Sequence, residues 1–147
     1  MKDFLIFFFI ISSGATAQDM PKNDADTQAL YQLIETYALA REQQDSVLLK
    51  SILTEDIDQL VSSGEWRIGL SAALSGMQQS TSTNPGSRSL IVEKIRFLSA
   101  TTSLIDALYV ITQTNGAERR MWSTFIAVRM QDRWKISAIR NMLPTGR

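Results

Sequence analysis

The chain has 147 residues, the length of one domain with a single core, and its 15 Lys and Arg balance its 15 Asp and Glu. A formal net charge of zero provides no overall basic field to gather nucleic acid or an anionic membrane, and neither is an expected partner. Cysteine and histidine are both absent, which excludes disulfides, thiolate nucleophiles, zinc sites built on either residue and every histidine-containing triad. Catalysis would have to use carboxylates, Tyr, Lys, Ser or Thr, and no cofactor or metal is implied: Glu55, Asp56 and Asp58 are adjacent acids that point in different directions.

Lys2 is followed by an apolar run from Phe4 to Ile11 and then by Ala15-Thr16-Ala17, the small-x-small pattern of a signal-peptidase site. Residues 1–17 therefore read as a secretory signal cleaved after Ala17, which makes this an exported protein, secreted or periplasmic in a bacterium. The run is far shorter than the roughly 20 apolar residues of a membrane span. Residues 18–26 are polar and read as a flexible lead-in, 27–144 as the folded domain and 145–147 as a tail.

From Thr27 to about Gln44, Leu30, Leu33, Ile34, Tyr37 and Ala38 recur at helical spacing. Asp45 has N-cap chemistry for a short second helix ending near Thr54. Ile57, Leu60 and Val61 predict a short strand, Ser62 to Gly64 a turn, and Trp66 and Ile68 another strand. Gly69 opens a third helix with Leu70, Ala73, Leu74 and Met77 as its apolar stripe, and the stretch from Ser80 to Ser87 reads as a loop. Four β-rich strands follow, divided by turn signals at Ser99 to Ser103, Asn115-Gly116 and Gln131-Asp132. Helices first and a meander afterwards predict an α+β fold: three N-terminal helices packed on a strongly curved, mostly antiparallel sheet.

Centring the turns on these signals sets Arg96 opposite Asp106, Thr124 opposite Arg140 and Trp122 opposite Met142. The predicted core face then carries Ile91, Ile95, Phe97, Ile105, Ala107, Tyr109 and Ile111 from the first two long strands. From the last two it carries Trp122, Ile126, Val128, Met130, Trp134, Ile136, Ala138 and Met142, with Glu93, Thr124, Arg140 and the Tyr109 hydroxyl as its polar minority. The opposite face mixes Lys94, Ser123, Arg129, Lys135 and Asn141 with Leu108, Val110, Phe125 and Ile139, and its apolar centre predicts a second subunit as cover. Arg119-Arg120 reads as a solvated basic spot at a hairpin end.

The ordered motifs are Asp45 at the helix junction, Leu53-Thr54-Glu55-Asp56-Ile57-Asp58, Gly64 followed by Gly69, Ile95-Arg96-Phe97-Leu98, and Trp134-Lys135-Ile136-Ser137-Ala138 leading to Asn141. From Thr27 to Pro144 this set resembles the nuclear transport factor 2-like superfamily, the cone-shaped α+β barrel of SnoaL-like proteins and ketosteroid isomerases, and within it the SgcJ/EcaC-type branch. The resemblance implies a conical hydrophobic cavity and, if the protein is an enzyme, a cofactor-independent isomerase, cyclase or dehydratase. It also implies a carboxylate base near Asp58, where ketosteroid isomerases place theirs. The histidine that members of the branch commonly carry before the last-strand Asn is here Arg140.

Two readings of Arg140 stand side by side: an internal salt bridge to Glu93 or Asp58, or an anchor for an acidic or carbonyl-bearing ligand. The candidate catalytic residues are Asp58 and Arg140; the candidate ligand-binding residues are Tyr37, Trp66, Glu93, Tyr109, Trp122, Thr124 and Asn141. The functional expectation is a small, largely apolar molecule with an acidic or carbonyl group bound in the cone of a homodimer. The competing expectation is a filled, non-catalytic module for dimerisation or partner docking.

Overall fold

The computed structural model describes residues 24–145; the signal segment and most of the lead-in lie outside them. Helix α1 spans Asp24–Glu42, starting before Thr27 with Asp24 and Asp26 in its first turn, where carboxylates complement the helix dipole. Helix α2 spans Ser46–Ile52 and is capped as its sequence predicts, Asp45 accepting a 2.9 Å hydrogen bond from the Leu48 amide. Strands β1 (Leu53–Leu60) and β2 (Trp66–Ile68) form a hairpin, and helix α3 (Leu70–Thr83) follows. Helix α3 runs three residues past Ser80, and there Thr81, Ser82 and Thr83 turn their hydroxyls back onto the carbonyls of Met77, Gln78 and Gln79. Pro85 then prevents its continuation.

Strands β3 (Gly86–Ser99), β4 (Thr102–Gln113), β5 (Glu118–Met130) and β6 (Arg133–Met142) complete the predicted meander. The six strands form one sheet in the order β2-β1-β6-β5-β4-β3, with β1 parallel to β6 and every other pair antiparallel. β2 and β3 are open edges, so the strands make a wall rather than a closed barrel. The helices cover its inner face. Leu30, Ile34 and Tyr37 of α1 and Met77 of α3 bury against Ile57, Ile105, Phe125 and Ile136, and Tyr37 meets Phe125 edge to face at 5.3 Å.

The inner face differs from the predicted one at three places, each by a single residue. Between Gln113 and Ala117 the hairpin holds Thr114, Asn115 and Gly116, with Gly116 at φ 84°, one residue more than a two-residue Asn-Gly turn. That residue turns β5 over: Met121, Ser123, Phe125 and Ala127 point inward, while Trp122, Thr124, Ile126 and Val128 point outward. In β3 an extra residue, Glu93, separates Val92 opposite Ala107 from Lys94 opposite Asp106. Ile91 is consequently outside and 51% exposed, Glu93 is exposed at the bulge, and Arg96 faces Leu104 instead of Asp106. In β6 a bulge at Ser137 leaves Trp134 and Ile136 inside but moves Ile139 and Asn141 inward and Arg140 outward. Thr124 does oppose Arg140, and Trp122 does oppose Met142, but both pairs lie on the outer face.

Candidate functional site

The inner face does not stay apolar along its length. At the end where α1 finishes and the β1–β2 and β4–β5 turns meet, it closes around a cavity of about 150 Å³. Arg41 reaches it from the last turn of α1, four residues beyond Tyr37 on the same buried stripe. The guanidinium is buried at 4% exposure, and its hydrogen bonds go to the Tyr37 hydroxyl at 2.9 Å, the Met77 carbonyl at 3.4 Å and the Thr81 hydroxyl at 3.3 Å. All three partners are neutral, and Arg41 Nε has no partner. Burial opposes the Arg41 charge and the Tyr37 and Tyr109 oxygens favour it; the net pKa lies above the ordinary arginine value, so the group is a fixed cation.

Tyr109, on β4, lines the cavity beside Arg41 with a buried hydroxyl that has no hydrogen-bond partner. Burial raises its pKa above the ordinary tyrosine value, against the opposing charges of Arg41 and Arg88, so the phenol is protonated and able to donate. Arg88 approaches from β3, but the geometry is not that of a hydrogen bond to the phenol; its guanidinium donates instead to the Gly86 and Asn84 carbonyls. Two further arginines complete the lining. Arg67 of β2 donates to Gln59 Oε1 at 3.3 Å and pairs with Glu65 at 3.1 Å. Arg119 of β5 turns inward to Ser62 Oγ at 2.9 Å, whereas its neighbour Arg120 stays in solvent with Glu118. The basic spot at the hairpin end is therefore split between the two faces.

Arg67 owes its position to a glycine. A Cβ on Gly76, in the middle of α3, would fall inside contact distance of the Arg67 guanidinium, so the helix is notched where that side chain crosses it. Asn141, inward on β6, accepts from Ser123 Oγ at 2.8 Å through its carbonyl and leaves its amide N–H groups to the cavity.

Of the residues singled out from sequence, Tyr109 and Asn141 line this cavity, and Tyr37 stands behind its wall holding Arg41. Asp58, Trp66, Trp122, Thr124 and Arg140 are on the outer face, and Glu93 is at the β3 bulge. On that outer face Arg140 donates to both carboxylate oxygens of Asp58, at 2.8 and 3.2 Å, and its guanidinium lies 4.8 Å from the Trp66 ring centroid. Asp106 accepts from Thr124 Oγ1 at 2.6 Å. Arg140 is thus paired by Asp58, the salt-bridge alternative. Among the described residues no Asp or Glu lines the cavity.

No protein-family model matches the sequence, nor does any curated protein. Solved structures do match. A nuclear transport factor 2-like protein of unknown function from Shewanella oneidensis has a TM-score of 0.69 at 16% identity, with 80% of this chain and 98% of that one covered. A domain of unknown function with a cystatin-like fold from Nostoc punctiforme gives 0.75 at 15% identity over 84% and 80%. A nuclear transport factor 2-like superfamily protein from Salmonella enterica gives 0.70 at 12% over 84% and 94%. With its helices on one face of a bulged, mostly antiparallel sheet, the chain has the nuclear transport factor 2-like fold.

Proposed function

We propose that this protein is an exported binder of a small acidic molecule, which enters the polar end of the cone and places its anion against Arg41. The observation that carries the reading is a buried guanidinium with only neutral oxygens around it, a costly arrangement unless a counter-charge arrives. Beside it the Tyr109 hydroxyl, on a residue that lines the same cavity, is equally buried and without a partner. The predicted ligand was largely apolar; the polar lining favours its acidic group as the part that is recognised. Binding is favoured over proton transfer because the cavity is lined by no carboxylate among the described residues, while Asp58 is engaged by Arg140 on the other face. An open cavity of about 150 Å³ likewise speaks against a filled module. The exposed Trp66, Ile68, Trp122 and Met142 on the outer face support pairing with a second copy there, and the N-terminal pattern supports export.

The test is native against denatured mass of the protein purified gently from its own compartment, alongside Arg41→Met. A small-molecule mass carried by the native protein and lost in the variant is the expected result. The fold should survive the substitution, with stability changed by no more than about 1 kcal/mol, because a buried charge without a carboxylate is removed. A ligand retained by the variant would overturn the role of Arg41.

A further inference from the structure

Resting on the acidic-ligand reading, we infer that the cone selects a small dianion: a molecule with two negative charges on oxygen, held between Arg41 deep in the cavity and Arg119 nearer its rim. The charges that line the cavity do not balance. Arg67 has Glu65 at 3.1 Å, but Arg41 and Arg119 meet only neutral oxygens, so two positive charges are left for a ligand to answer. They enter from different elements, Arg41 from the end of α1 and Arg119 from the start of β5, and only Arg41 is fully buried. A single carboxylate on Arg41 would leave Arg119 uncompensated.

The neutral lining points the same way. Gln59 accepts from Arg67 and Asn141 accepts from Ser123, so both amides present N–H groups inward. Ser62 accepts from Arg119 and keeps its own proton to donate. A ligand rich in acceptor oxygens and poor in donors satisfies these groups. Size sets the other bound. About 150 Å³ is the volume that, in an apolar cavity, takes a benzene ring, so the enclosed part of the ligand is of that order and a fused-ring body does not fit inside. Short dicarboxylates and small phosphate monoesters share this chemistry.

Isothermal titration of the purified protein near neutral pH and at low salt, with succinate and with butyrate of equal carbon number, tests the second charge. Succinate should bind at least about tenfold more tightly, and Arg119→Gln should reduce that preference to within about twofold. Arg119 is partly exposed at a strand end, and an unchanged melting temperature will show that the variant folds. Equal binding of the two acids, or a preference that survives Arg119→Gln, overturns the dianion inference and leaves the acidic-ligand reading standing. Binding of neither acid, nor of inorganic phosphate, overturns both. Where succinate is preferred to butyrate and the preference falls in Arg119→Gln, succinate above phosphate assigns dicarboxylates and the reverse assigns phosphate monoesters.

Discussion

Arg140 and Arg41 occupy opposite faces of one sheet, and they are treated in opposite ways. Arg140 is satisfied within the chain: Asp58 takes both its outer N–H groups, the Ile139 carbonyl takes another bond, and Trp66 lies under the cation. Arg41 is more deeply buried and yet has no carboxylate, only a phenol, a threonine hydroxyl and a backbone carbonyl. A self-contained ion pair needs nothing more, whereas an uncompensated buried cation needs an anion from outside. The contrast teaches that the polar residues of this sheet divide into a closed outer set and an open inner one.

The sharpest way to test the division of faces is on one strand. Phe125→Ala, which empties the contact with Tyr37 on the inner face, should cost about 3–5 kcal/mol in chemical denaturation. Trp122→Ala, on the outer face and 40% exposed, should cost under about 1 kcal/mol in the isolated chain; comparable losses would mean the faces are wrongly sorted. Asp58→Asn probes the closed set. It should lower stability by about 1 kcal/mol, since the pair is partly exposed, without changing ligand affinity, and weakened binding would join the outer cluster to the site.

Tyr109→Phe probes the open set. Removing a buried hydroxyl that has no partner should raise stability by up to about 1 kcal/mol in the ligand-free protein. It also has a pH signature. The folded phenol keeps its proton above the ordinary tyrosine value of about 10, where the unfolded one loses it, so stability falls as pH rises past that value. In the Phe variant this part of the alkaline decline should be absent, and an unaltered decline would count against the buried phenol. The smallest effect is that of Gly76→Ala: a helix gain of up to about 1 kcal/mol is offset as Arg67 is pushed from Gln59, leaving net stability within about 0.5 kcal/mol. Ligand affinity should nevertheless drop, and calorimetry on the two proteins reads that directly.

Much of the fold was legible because it is written in local patterns. The helical spacing of Leu30, Ile34 and Tyr37, the Asp45 cap, and the turns at Asn115-Gly116 and Gln131-Asp132 all depend on residues close in sequence, and the elements formed in that order, although the Asn115-Gly116 hairpin holds one residue more than expected. Arg41 was legible in principle, since it extends the same stripe one turn beyond Tyr37. The site as a whole was not. Arg67, Arg119 and Gln59 come from strands whose inward direction depends on register; Arg140 was placed in the cone by an alternation that the Ser137 bulge reverses, and Asp58 by the resemblance, although it lies between the buried Ile57 and Gln59 of β1.

The sequence by itself determined the element order, the Asp45 cap, the neighbourhood of each turn and the balance of charges, because these follow from propensities and spacings that act over a few residues. Tertiary structure decided which face each strand turns inward, since one extra residue in a loop or a bulge exchanges every side chain beyond it. It thereby decided that Arg140 would find Asp58 outside while Arg41 was left inside without a counter-charge.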